Sequence, residues 1–254
     1  MSHARRVRFL SAAMNSKQGS RPTVSILIPA YKEEEYVQAT LQGMMEAFRA
    51  AKLAAEIIVV LDAVPGDKTG TYVRDAARKY EEIRVIERQG KRGVGDAIKT
   101  GIENANGRIV IPVMGDQSET PDDIVNLTKK ALDYDLVFTD RFKHGRPLGY
   151  SVLKYLANRC CNLAAMALLG IPYSDTTNAF KAYKKDLLTH IELSSKGFEI
   201  FLEMPVKAMR FARRTDVVEV THLARKKGKP KLSLMRDGYR YVNTLFLLLK
   251  STRR

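Results

Sequence analysis

An α/β fold built on a mostly parallel central sheet, flanked by helices, is what this sequence predicts. Three observations predict it. Short β-branched runs alternate with longer helical patterns along the chain. The runs are continuously apolar, as strands covered on both faces are. A hydrophobic content of 45% over 254 residues is enough for one large core, which argues against wholesale disorder.

The elements follow in order. VSILI (24–28) reads as the first strand and precedes a helical stretch from about Glu34 to Lys52. EIIVVL (56–61) leads to a helix near 70–80, and IRVIE (83–87) to GVGDAIKTGIENA. RIVIPV (108–113) leads to PDDIVNLTKKAL, and DLVFT (135–139) to a longer helix from about Ser151. No repeat or low-complexity segment interrupts the pattern. The organisation predicted is a basic tail (1–22), one domain (23–222) and a basic amphipathic C-terminal segment (223–254). From His222 to Arg254 there are ten Lys or Arg and one acid, Asp237, and Tyr239, Val242, Leu245, Phe246 and Leu249 fall at helical spacing. Such an end suits a membrane surface or docks on the body of the protein.

The net charge of +15 draws the chain to polyanions: nucleic acid, phosphorylated small molecules or anionic membranes. Nucleic acid is disfavoured, because no binding motif is present and much of the charge is sorted into the two ends. The vicinal Cys160 and Cys161 lack ligand-spaced partners, so neither a zinc site nor a disulfide framework is expected. They read as reduced core or interface residues, in keeping with a cytosolic compartment. The longest uncharged stretch, CCNLAAMALLGIPYS, is broken by Gly170 and Pro172 and is too short to span a bilayer.

Ligands of open α/β sheets bind beyond the carboxyl ends of the strands, so the loops there carry the chemistry. PAYKEEE (29–35) has no glycine, which removes the dinucleotide fingerprint, and neither GDKTGT (66–71) nor GKRGVGD (90–96) fits a P-loop. What remains is an ordered set of acids and bases: Glu33, Asp62, Asp67, Lys91, Arg92 and Asp116.

At these residues the sequence resembles a known family. PAYKEEE, IIVVLDAVPGDKT, RQGKRGVGDAIKTGIENANG and VMGDQSETPDD resemble, in order and spacing, the GT-A glycosyltransferases of the dolichol-phosphate mannose synthase or polyprenyl-phosphate glycosyltransferase type. FTDRF, DTTNAFKAYKK, KGFEIFLEMPVKA and RKKGKPKL extend the resemblance over about 23–235. It implies a Rossmann-like GT-A domain and inverting transfer of a hexose from a nucleotide diphosphate sugar, of the GDP-mannose or UDP-glucose class. By resemblance Pro29, Tyr31, Glu33, Asp62 and Lys91 hold the donor. The loop that usually carries Asp-x-Asp has Met114 and Asp116, with Ser118 where some members place a further ligand. A hard Mg²⁺ or Mn²⁺ can draw most of its oxygens from phosphate and water, and a thioether is a poor partner. A working variant with altered metal dependence is therefore expected. Thr120, Pro121, Asp122 and Asp123 read as a helix start rather than as ligands.

The resemblance further assigns Arg141, Arg225 and Lys231 to the acceptor phosphate and the diphosphate, although Pro230 replaces the family's serine. A phosphate monoester is already largely ionised near neutrality, with a second pKa of about 6, and needs cations rather than a base. A polyprenyl or dolichyl phosphate is thus the expected acceptor, for an enzyme peripheral to the cytoplasmic face of a membrane. The alternatives are a hydroxyl acceptor, with Glu203 as candidate base, and a non-catalytic nucleotide-sugar binder. In SVLKYLANRCCNLAAMALLG, Val152, Leu156, Leu163, Met166 and Ala167 are expected to be mostly core.

Overall fold

The computed structural model describes residues 21–62, 64–89, 93–147, 149–221 and 234–252. Lys91, Arg92, Arg225 and Lys231, like residues 1–20 of the basic tail, lie outside the described residues.

Seven strands form one sheet in the order β3-β2-β1-β4-β6-β5-β7. β1 (Val24–Ala30), β2 (Ala55–Asp62), β3 (Ile83–Arg88) and β4 (Ile109–Pro112) are parallel, and the expected runs are all present. β5 (Leu136–Asp140) is not paired with β4. A three-residue strand, β6 (Ala182–Lys184), lies antiparallel between them, and β7 (Thr215–Glu219) pairs parallel to β5 at the edge. The crossovers α1 (Val37–Ala50), α2 (Thr69–Lys79), α3 (Val94–Asn104) and α4 (Pro121–Lys130) cover the sheet on both faces. α5 (Val152–Leu169), the short α6 (Lys185–Thr189), α7 (Ile200–Met209) and α8 (Leu234–Thr252) follow.

Strand alternation sorts the core. Val24, Ile26, Ile28, Ile57, Val59 and Leu61 point to the face covered by α1, α2 and α4, while Leu27, Ile58, Val60 and Val110 face α3 and α7. Both faces are apolar, which is why the strands read as unbroken hydrophobic runs. Strand order reverses beside β1 and β4, so the crevice at their carboxyl ends is where this topology places a ligand.

Two glycines join a pair of loops at that end. Gly93 has φ +94°, and a Cβ there would lie 2.3 Å from the Lys196 carbonyl oxygen; one on Gly95 would lie 2.6 Å from that of Ser195. The Gly95 N–H donates to the Lys196 carbonyl at 2.9 Å. Gly93 and Gly95 therefore serve a backbone-to-backbone fit between loops 93–95 and 195–197.

α5 departs from expectation. Val152, Leu156 and Leu163 are more than half exposed, Ala167 is exposed and Met166 is half-buried, so the core assignment is wrong for these positions. The reason is that α5 turns its polar row inward. Asn158 donates to the Thr177 hydroxyl (2.9 Å), Asn162 to Asn158 Oδ1 (2.7 Å), and the Thr177 N–H to Asn162 Oδ1 (3.0 Å). Arg159 donates to the Ser174 carbonyl at 2.9 Å. Satisfying those buried loop groups leaves the leucines outside. Cys160 is likewise exposed and not core; Cys161 is half-buried, and both are free thiols.

Candidate active site

A cavity of about 350 Å³ opens at the carboxyl ends of β1, β2 and β4. Pro29, Ala30, Tyr31 and Glu33 line it after β1, Val60 and Asp62 from β2, and Met114 after β4. Gly93, Val94 and Ala97, the turn Lys196–Phe198, and Asp237 and Arg240 of α8 complete it. The structure thus brings together Pro29, Tyr31, Glu33 and Asp62 of the expected donor residues.

Glu33 is 3% exposed, so it is not a solvated acid at a helix start. Its N–H donates to the Thr69 hydroxyl (2.7 Å) and its carbonyl accepts from Tyr36 and Val37, fixing the loop against α2 and starting α1. Asp67 accepts from the Thr69 N–H at 2.9 Å and so shapes the start of α2 rather than the cavity. Asp62 is gripped by Arg88, which sequence reasoning missed. Nε donates to Oδ1 at 2.8 Å and Nη2 to Oδ2 at 2.7 Å, and both side chains are buried. The two residues are register partners at the ends of β2 and β3, so the pair is set by the sheet itself. Arg88 also donates to the Gly93 carbonyl (3.1 Å), tying Asp62 to the glycine loop.

The loop after β4 is sharply folded. Gln117 has φ +58°, which carries Ser118 back over Asp116. Asp116 Oδ1 accepts from the Ser118 N–H (3.1 Å) and hydroxyl (2.6 Å). Thr120 caps α4 by accepting from the Asp123 N–H at 3.1 Å, with Pro121 at the first helical position, as its sequence indicates. Glu119 is the residue the sequence reading passed over. Burial, together with the charge of Asp116, pushes its carboxyl up to about 8, against opposing pulls from Ser118, Arg141 and the Met114 N–H. Its Oε2 is buried and has no partner among the described residues.

These residues fit a hard divalent cation. Asp116 supplies one carboxylate and Ser118 a hydroxyl, and Glu119 carries an unsatisfied oxygen beside them. Among the described residues no group of three His, Cys, Asp or Glu is placed to hold a metal, so a cation bound here would need further oxygens from phosphate or water.

Arg141 sits after β5 in a buried ion pair with Asp175. Nε donates to Oδ2 and Nη2 to Oδ1, both at 2.8 Å, and the Arg141 N–H adds a third bond at 3.2 Å. The Asp175 side chain is fully buried and that of Arg141 13% exposed, so the guanidinium is aimed by its partner. Lys181 is also fully buried, donating to the Asn178 carbonyl. Burial pulls its ammonium down to about 7, although Asp175 acts the other way.

Glu203, a candidate base if the acceptor is a hydroxyl and otherwise expected to pair with nearby basic residues, is built into the scaffold. Its oxygens accept from the Ser194 N–H (3.0 Å) and hydroxyl (2.9 Å), the Ser195 N–H (2.8 Å) and Lys207 Nζ (2.6 Å). Burial would raise its pKa, but Lys207 and the two serines together lower it from 4.5 to about 2. A carboxylate so saturated is a poor proton acceptor at neutral pH. Depression by folding means that its stabilisation is complete above the unfolded pKa and drains away as pH falls from about 4.5 towards 2. Glu203→Gln is expected to cost about 3 kcal/mol at pH 7 and little near pH 2, an order-of-magnitude figure. Urea unfolding of both proteins across that range checks it; parallel stability curves would count against the assignment.

Residues 25–191, more than half of the chain, match the glycosyl transferase family 2 profile. The chain belongs to glycosyl transferase family 2. This transferase is 27% identical over 217 residues to an undecaprenyl-phosphate mannosyltransferase of Micrococcus luteus, covering 83% of this chain and 87% of the relative. It is 30% identical over 215 residues to an undecaprenyl-phosphate 4-deoxy-4-formamido-L-arabinose transferase of Pseudomonas fluorescens, covering 84% of this chain and 61% of that one. The chain therefore spans less than two thirds of the second relative's length. Among solved structures, glucosyl-3-phosphoglycerate synthase from Mycobacterium tuberculosis, in complex with Mn²⁺, UDP and glucosyl-3-phosphoglycerate, superposes with a TM-score of 0.70. The match covers 90% of this chain and 80% of that one at 18% identity, a likeness of fold. The GT-A fold expected from sequence is thus present, and the family 2 chain is a glycosyltransferase related to polyprenyl-phosphate sugar transferases.

Proposed function

We propose that this enzyme transfers a hexose, with inversion, from a nucleotide diphosphate sugar to a polyprenyl phosphate at a membrane surface. The observation that carries the acceptor reading is Arg141, held by buried Asp175 in one fixed orientation next to the β4 loop. An acceptor phosphate aligned by that guanidinium attacks the anomeric carbon in line with the departing diphosphate. The new bond joins the phosphate oxygen to the anomeric carbon; the old bond to the diphosphate oxygen breaks, and its electron pair leaves with the nucleotide. No proton need be removed from an ionised phosphate, which agrees with the saturation of Glu203. Pro29, Tyr31, Glu33 and Asp62 hold the nucleoside end of the donor, while Asp116, Ser118 and Glu119 would hold Mg²⁺ or Mn²⁺. The metal supplies charge neutralisation on the diphosphate as it leaves.

A lipid acceptor is supported by two apolar rows. α5 exposes Leu153 (67%), Val152 and Leu156, and α8, which packs on α5 and α7, exposes Tyr239, Val242 and Phe246 (60%). Asp237, Thr244 and Leu248 form the buried side of α8, so that helix both docks on the body and presents an apolar row. No helix among the described residues is long and apolar enough to cross a membrane. The fold likeness to glucosyl-3-phosphoglycerate synthase favours a second reading, in which the acceptor is a hydroxyl of a small phosphorylated acid.

The test is a transfer assay with radiolabelled UDP-glucose and GDP-mannose, Mn²⁺, and either polyprenyl phosphate in vesicles or 3-phosphoglycerate. Label entering the lipid phase with one donor is expected. Label in phosphoglycerate alone would replace the lipid reading with the second one.

A further inference from the structure

The donor cavity has a wall to which the sequence assigned nothing. Opposite the strand ends it is formed by the turn Lys196–Phe198 and by α8, through Asp237 and Arg240. Gly197 shows where Arg240 ends: a Cβ on that glycine would lie 2.7 Å from Arg240 Nη1 and 2.5 Å from Glu199 Oε2. The guanidinium and the carboxylate therefore close over the glycine from two sides. Glu199 is 7% exposed. Its Oε1 accepts from the N–H groups of Lys196 (3.2 Å) and Gly197 (2.9 Å), and its Oε2 has no partner among the described residues. α8 is pinned to the same turn, because the Tyr241 hydroxyl donates to the Phe198 carbonyl at 2.7 Å. Turn and helix form one wall, with the exposed guanidinium of Arg240 lying over Gly197.

We propose that Arg240 grips the diphosphate of the donor and that Glu199, by fixing the turn over which Arg240 lies, is a positioning residue, an inference that rests on the donor reading above. Glu33 and Asp62 line the cavity from the β1 and β2 ends, with Asp62 already paired to Arg88, while Lys196 and Arg240 line it from the turn and α8. A nucleotide diphosphate sugar carries its charge only on the diphosphate, so the cations of the turn and α8 are the groups on this wall that suit it. Asp237, one turn before Arg240, is buried and engaged in interactions of its own. The β4 loop carries a thioether at Met114, which lines the same cavity and offers no charge to a metal. A guanidinium on this wall supplies hydrogen bonds to the diphosphate oxygen that keeps the electron pair when the glycosidic bond breaks. A segment that reads from sequence as a basic amphipathic end thereby becomes part of the donor site.

Calorimetric titration of the full chain with UDP, GDP, UMP and GMP, in Mn²⁺ and in EDTA, tests this. Arg240→Ala is expected to weaken the diphosphate that binds best by roughly tenfold to a hundredfold. The matching monophosphate should change less than about threefold, because the nucleoside contacts are elsewhere. The loss is expected to be larger in EDTA, Arg240→Lys to recover part of it, and Glu199→Gln to show a smaller loss of the same kind. The melting temperature of unliganded Arg240→Ala should match that of the parent chain. Equal diphosphate affinity in the parent and Arg240→Ala would overturn the proposal, as would parallel losses for diphosphate and monophosphate. If the parent chain binds neither UDP nor GDP, the donor reading itself falls, and this inference with it.

Discussion

Replacing Asp175 by alanine is expected to lower stability by about 3–5 kcal/mol, the cost of leaving a buried cation without its partner. Arg141 would lose its bidentate ion pair and its third, backbone bond to the same carboxylate. The buried ammonium of Lys181 would lose the anion that opposes its neutralisation. With domain stabilities typically about 5–15 kcal/mol, Asp175→Ala can sit at the edge of folding. Asp175→Asn, which keeps the shape and removes the charge, is the companion variant. Urea denaturation reads both. Pairing Asp175→Ala with Arg141→Met is expected to recover much of the loss, because the orphaned charge goes too. A loss of under about 1 kcal/mol for Asp175→Ala would mean that the pair behaves like an exposed one.

The second large effect is kinetic. Asp116→Asn preserves the acceptor oxygen that Ser118 uses and removes the one carboxylate expected to face the diphosphate. Turnover is expected to fall by about a hundredfold or more, the scale of losing one charge-stabilising group at a leaving oxygen. Donor affinity should become insensitive to Mn²⁺ and EDTA. Met114→Asp is the opposite manipulation and should tighten Mn²⁺ binding, read by the metal's paramagnetic resonance without any turnover. Unchanged turnover in Asp116→Asn would remove this loop from the chemistry.

The sheet was legible because strands covered on both faces must be apolar throughout, and β1 to β4 announce themselves that way. β6 was not: three residues, Ala182–Lys184, carry no periodicity, and their antiparallel insertion depends on contacts far along the chain. The cavity residues Pro29, Tyr31, Glu33 and Asp62 were legible because loops at strand ends have few places to go. Arg88, Asp175 and Arg240 were not, since each is defined by a partner or wall 26, 34 or 43 residues distant. Glu119 stands in a quoted motif, but no spacing rule tells which way a loop side chain turns. α5 misled for a related reason: a helical stripe of leucines shows that two faces differ, and not which of them meets the protein.

The backbone fit of Gly93 and Gly95 against Ser195 and Lys196 carries a consequence for descent. The glycine loop has no room to gain a side chain at 93 or 95 unless the backbone of 195–196 retreats. A residue other than glycine at 93 or 95 is therefore expected only where the backbone of 195–197 takes another course.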